Sequence, residues 1–127
     1  MFFDVERAVD TVIQGGWTDT PVFFDNQTPK PTLGNPYIDI EVNWSDGNQI
    51  GIKKHRQSGY IVVSVYTNKG AETGLSGRLL DKMEQLLITG PWPSGLRLNT
   101  AHVERVGERE SWYQRDLIVP FDYDFCR

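Results

Sequence analysis

The stretch WYQRDLIVPFDYDFCR, residues 112–127, reads as one long strand. From Tyr113 the odd positions run Tyr113, Arg115, Leu117, Val119, Phe121, Tyr123 and Phe125, while the even ones include Gln114, Asp116, Asp122 and Asp124. Successive side chains of a strand point to opposite faces, so an aromatic-rich face stands against a polar, largely acidic one. Six of those seven odd positions can bury apolar surface, each contributing roughly 1.5–3 kcal/mol when fully covered. The strand is therefore expected to pair within its own sheet or against another subunit. Pro120 has no amide hydrogen to give a ladder, which predicts an edge or a bulge there.

Two upstream segments carry the same kind of signal. In Tyr37 to Trp44, Ile38, Ile40, Val42 and Trp44 alternate with Tyr37, Asp39, Glu41 and Asn43, the pattern of a half-buried strand. Tyr60 to Tyr66 places Ile61, Val63 and Val65 opposite Tyr60, Val62, Ser64 and Tyr66, and apolar groups on both faces predict a central strand. Between them, Ser45-Asp46-Gly47-Asn48 is a turn signal, and Gln49 to Ser58 is a polar stretch, a hairpin or a loop. That stretch holds the one basic run, Lys53-Lys54-His55-Arg56.

Helical periodicity appears twice. Phe2, Val5, Val9, Val12 and Ile13 share a face, with Asp4 as a candidate cap and Gly15-Gly16 as the stop. A second helix is predicted from Thr73 to Ile88, with Leu75, Leu79, Met83 and Leu86 on one stripe and Leu80 and Leu87 beside it; Gly90-Pro91 ends it. Val22-Phe23-Phe24 is a minor strand, residues 25–35 a loop rich in Pro and Gly, and Asn68-Lys69-Gly70 begins another loop. Leu96 to Val106 reads as one weakly alternating strand, and Gly107 to Ser111 as a hairpin tip. The order is helix-β-β-β-helix-β-β. It predicts an α+β fold with two helices packed on an antiparallel or mixed sheet of four to five strands, in one domain spanning residues 1–127.

Composition narrows the function classes. A net charge of −4 argues against broad binding to a phosphate backbone, which needs a basic excess on one face. The single cysteine, Cys126, excludes an internal disulfide and reads better as a small hydrophobe than as a nucleophile. The beginning of the sequence has no basic region followed by a long apolar core, and no apolar run has the length of a membrane span, so a soluble protein made in the cytosol is expected. His55 and His102 lie in different elements without ligand spacing, and no serine elbow or phosphate-binding glycine loop is present. The expectation is no enzyme, no cofactor and no metal. Asp116, Asp122 and Asp124 read as an acidic solvent face. The basic run reads as a solvated hairpin or loop whose charges block edge pairing, or as a contact for phosphates or for an acidic protein surface. The long polar stretch and Pro120 are odd for a plain monomer, and both point toward assembly.

Taken in order, these segments resemble the phage tail terminator family, the lambda-type minor tail protein U and its relatives in long-tailed phages. The resemblance rests on the helix ending near Trp17, on Pro36 to Val42 followed by a polar stretch, and on Ser58 to Tyr66 with its downstream loop. Helix two and Trp112-Tyr113-Gln114 leading to Val119-Pro120-Phe121-Asp122-Tyr123 complete it. It implies a non-enzymatic virion protein that forms a hexameric ring at the head-proximal end of the tail. That ring would cap the tail-tube protein, stop its polymerisation and offer a surface to the head-tail connector or head-closure protein, with DNA passing through passively. The protein would be made in the bacterial cytoplasm and would have no membrane partner. Under this resemblance the expected interface residues are Lys53, Lys54, His55, Arg56, Lys69, Glu72, Asp122 and Asp124, with Lys53, Lys54 and Arg56 pairing with acidic groups on the tube. The competing readings are a head-closure or head-tail joining protein, a tube subunit, and a non-viral ligand-binding α+β domain.

Overall fold

Three strands of equal length carry the architecture. In the computed structural model the described residues are 2–18, 20, 22–24, 36–68, 73–109 and 112–126. Strands β2 (Tyr37–Gly51), β3 (Lys54–Asn68) and β6 (Trp112–Cys126) each span 15 residues, or about 50 Å at the usual strand rise. They pair antiparallel, with β3 central and in unbroken register to β6 from Lys54↔Cys126 to Asn68↔Trp112. Strand β1 (Val22–Phe24) adds a parallel edge to β2. On the other side, β4 (Leu96–Leu98) and β5 (His102–Arg109) both pair antiparallel with β6. Among the described residues the sheet is mixed and has six strands, in the order β1-β2-β3-β6-β4 with β5 also against β6.

The helices α1 (Phe2–Gly16) and α2 (Thr73–Thr89) pack together over one face of this sheet. Val5, Val9 and Ile13 from α1 and Leu79, Leu80, Met83 and Leu87 from α2 are buried, as is Val12 beside them. They meet Ile38 and Ile40 of β2, Ile61, Val63 and Val65 of β3, and Leu117, Val119 and Phe121 of β6. The odd face of the terminal strand is thus the core face, as its alternation predicts. Among the described residues, no helix is long and apolar enough to cross a membrane.

Several expectations are corrected. The α+β class and the element order hold, but the sheet exceeds four to five strands because Leu96 to Val106 is two strands, broken at Asn99–Ala101. Pro120 lies in an interior strand. Its carbonyl accepts a hydrogen bond from the Asn99 amide at 2.8 Å, so its proline nitrogen faces the break between β4 and β5, where no ladder donor is needed. Gln49 to Ser58 is a hairpin and not a loop: its residues continue β2 and β3 around a tip at Ile52-Lys53. The expected turn at Ser45 to Asn48 is strand with a bulge in β2: the register shifts between Trp44 and Gly47, and again between Gln49 and Gly51, and the Gln57 side chain ties the first shift down through the Ser45 carbonyl at 2.7 Å. Asp4 lies inside the first turn of α1, where a negative charge is favourable, and is no cap before it. Leu75 and Leu86 flank the buried stripe of α2, and Cys126 is exposed at the end of β6. The expected loop over 25–35, and Lys69 and Glu72 with their loop, lie outside the described residues.

The end of α2 shows how closely local sequence and packing agree. Gly90 takes a φ of 68°, and its amide donates to the Leu86 carbonyl at 3.1 Å. The Trp92 indole then donates to the Leu87 carbonyl at 2.6 Å, satisfying an acceptor that the helix itself leaves unpaired.

Candidate functional site

The two helices cover only the half of the sheet where its core face is apolar. Beyond Trp44, Gly59 and Phe121, the strands β2, β3 and β6 run on past the two helices as an arm, flanked by β4 as far as Tyr123. Polar side chains hold the arm together. The Arg56 guanidinium donates to both oxygens of Asp124, at 2.8 and 3.1 Å, and Arg97 approaches the same carboxylate at 3.5 Å. Ser58 donates to Asp122 at 2.6 Å, with the Asn99 amide at 3.4 Å on its other oxygen. On the opposite face His55 stacks on Phe125, and Phe125 on Tyr123, with ring centroids 5.6 and 5.9 Å apart.

This arrangement sorts the expected interface residues. Arg56, Asp122 and Asp124 are spent within the subunit, and His55 is held against an aromatic ring. Lys53 and Lys54 are exposed and make no ion pair among the described residues. Beside them stand two apolar side chains that the sequence reading passed over: Ile50 is 44% exposed and Ile52 89%. Lys53 also takes a left-handed φ of 60°, which L-residues other than Gly, Asn and Asp seldom adopt.

The arm's carboxyls have a definite pH signature. The Ser58 hydroxyl holds the Asp122 carboxyl below its ordinary value, helped by Asn99 and Arg56, and Arg56 does the same for Asp124. Both groups titrate lower in the folded chain than in the unfolded one. Their contribution is therefore complete above the ordinary carboxylate pKa of about 3.9 and is lost as pH falls through the depressed values. Below about pH 4, amides of residues 55–58 and 122–125 should lose protection, measured against the intrinsic exchange rate at each pH, while those of Ile61 and Leu117 stay protected. Hydrogen exchange by NMR checks this, and uniform loss of protection would contradict it.

The second surface is the sheet face that, among the described residues, neither α1 nor α2 covers. Near β1, Phe23, Tyr37 and Tyr66 form an aromatic cluster, with Tyr37 stacked on Tyr66 at 4.6 Å; burial pushes both phenols above their ordinary pKa. Further along, Tyr60, Val62, Ile118 and Pro120 make an apolar strip across β3 and β6, and Tyr60 is 41% exposed. Glu41, Glu104 and Asp116 rim a shallow concavity of about 480 Å³ over this strip, with Asn43 and His102. The carboxylate of Asp116 accepts from Gln114 at 2.9 Å, and Glu104 stands 3.6 Å from His102. No lysine or arginine lines it among the described residues. A cleft of about 510 Å³ lies on the other side of the sheet, between the end of α2 and the β4–β5 break, beside Trp92. No group of three or more metal-ligating side chains gathers among the described residues.

No protein-family profile matches this chain, and no curated protein is similar to it. Solved structures share its fold. One, designated only by a sequence identifier, superposes with a TM-score of 0.63 at 12% identity, over 96% of this chain and 97% of that one. At that identity the likeness speaks for the fold alone.

Proposed function

We propose that this protein is a phage tail terminator: a subunit of a ring that caps the tail tube, stops its growth and presents a surface for joining the head. The observation that carries the reading is an α+β sheet clad on one face only, with a polar-bonded arm running past its core and ending in exposed apolar and basic side chains. Such a subunit spends its surface on contacts with other proteins. The segments that carry the resemblance lie on α1, β2, β3, α2 and β6.

The mechanism is steric and interfacial. One side of the ring matches the end of the tube closely enough to bind it, and the other side does not recruit a further tube subunit. Closure into a ring uses heterologous contacts, in which two different surfaces of each subunit meet. With Arg56 engaged by Asp124, the charges left to dock on an acidic neighbour are Lys53 and Lys54, and that docking weakens with salt.

Loss of the protein is the direct test. Phage carrying an amber codon in this gene should make tails that are overlong or fail to join heads, seen by electron microscopy. Tails of normal length joined to full heads would overturn the reading. Full-length tails without heads would favour a head-closure protein. The cleft beside Trp92 favours a second reading, a ligand-binding domain, which predicts a monomer and normal tails in the same experiment.

A further inference from the structure

We propose that the hairpin tip of one copy, Ile50 to Lys54, docks into the acidic-rimmed apolar concavity on the open sheet face of a second copy. The inference rests on the ring reading, for which it names the two mating surfaces.

The surfaces are complementary in both respects that decide a contact. The tip presents Ile50 and Ile52 to solvent with Lys53 and Lys54 beside them. The concavity presents Tyr60, Val62, Ile118 and Pro120, with Glu41, Glu104 and Asp116 around them. Apolar area faces apolar area, and two unpaired ammonium groups face three carboxylates. Each surface alone is an anomaly: an isoleucine 89% exposed at a turn and an apolar strip on a solvent-facing sheet. One contact accounts for both. A lysine held at positive φ on the tip is also easier to understand where its side chain is used.

The contact cannot form within one chain. Lys54 and Val62 lie on the same strand, eight residues apart, so the tip stands about 26 Å from the concavity. Unbroken pairing to β6 keeps that strand extended. Because the tip and the concavity are different surfaces, the contact is head-to-tail, and repeating it gives a closed ring or an open filament.

Site-directed cross-linking tests this on purified full-length protein in which Cys126→Ser removes the native thiol. Molecules carrying Ile52→Cys are mixed with differently tagged molecules carrying Val62→Cys and oxidised. A disulfide-linked mixed dimer is expected, at least tenfold more abundant than when Ile88→Cys, an exposed position on α2, replaces Val62→Cys. Adding Lys53→Glu and Lys54→Glu to the first partner should cut the yield at least tenfold, and Glu41→Lys with Glu104→Lys on the second should restore it. All these positions are at the surface, and circular dichroism verifies folding of each variant. A yield no higher than the Ile88→Cys control, or one indifferent to charge reversal, overturns the proposal. If a ring is seen on tails but this cross-link is absent, the surface assignment fails and the terminator reading stands. A cross-link with no ring on tails has the reverse meaning.

Discussion

Phe121→Ala is expected to lower the unfolding free energy by about 3–5 kcal/mol, a large share of the roughly 5–15 kcal/mol a domain of this size possesses. Phe121 is 1% exposed, and its ring meets Trp44 edge to face at 5.2 Å. It is the last fully buried side chain on the core face before the arm begins. Its neighbours are strand residues fixed by cross-strand pairing, so the space left by truncation cannot close by a helix sliding in. The loss therefore includes both the transfer term and a cavity term. Urea denaturation followed by tryptophan fluorescence measures it, with the midpoint falling at unchanged slope. A loss below about 1 kcal/mol would mean that this position is not the anchor described here.

Gly59→Val should be nearly as damaging, for the opposite reason. Gly59 faces the core opposite Trp44 on β2 and Phe121 on β6. A side-chain carbon there would run into the Asn43 carbonyl oxygen and come within 2.9 Å of the Phe121 ring. A ring can shift, but a carbonyl within the sheet cannot move without breaking the ladder. The penalty is expected near the top of the overpacking range, about 3 kcal/mol, which lowers Tm by on the order of 10 °C. Gly59→Ala meets the same carbonyl and should move Tm in the same direction. Thermal melts check both, and a Gly59→Val protein melting within about 2 °C of the parent would contradict the packing.

These two positions show which parts of the fold the sequence discloses. Phe121 was legible because alternation from Tyr113 to Phe125 marks its face. The same holds for Ile38 to Trp44 and for Tyr60 to Tyr66, whose centrality followed from apolar groups on both faces. Gly59 was not legible as a packing residue, because what excludes a side chain there comes from β2 and β6, far away in sequence. The arm is only partly legible for a related reason. Gln49 to Ser58 has no apolar alternation, and only pairing with Asp122 to Cys126, through Arg56–Asp124 and Ser58–Asp122, makes it strand. The split between β4 and β5 was hidden likewise, since the signal that Pro120 provides concerns the partner strand as much as its own.

The candidate surfaces were half legible. The basic run was visible, but its four members have different fates: Arg56 and His55 are engaged within the subunit, while Lys53 and Lys54 face solvent. Asp122 and Asp124, expected to dock a neighbour, instead bind the arm's own donors. Ile50 and Ile52 gave no signal, because an isolated isoleucine in a polar stretch is unremarkable until a tight tip leaves it bare. The open sheet face needed the sheet order, since Tyr60, Glu104 and Ile118 come together only through β3–β6 and β5–β6 pairing.

The reading of this protein as a tail terminator stands or falls most directly on where it sits in the particle. Class-averaged electron micrographs of purified tails, with and without this protein, give the answer. The prediction is a ring of extra density at the head-proximal end of the tube, present only when the protein is present. Tails that carry no such density, or that carry the protein along the whole tube, would contradict it.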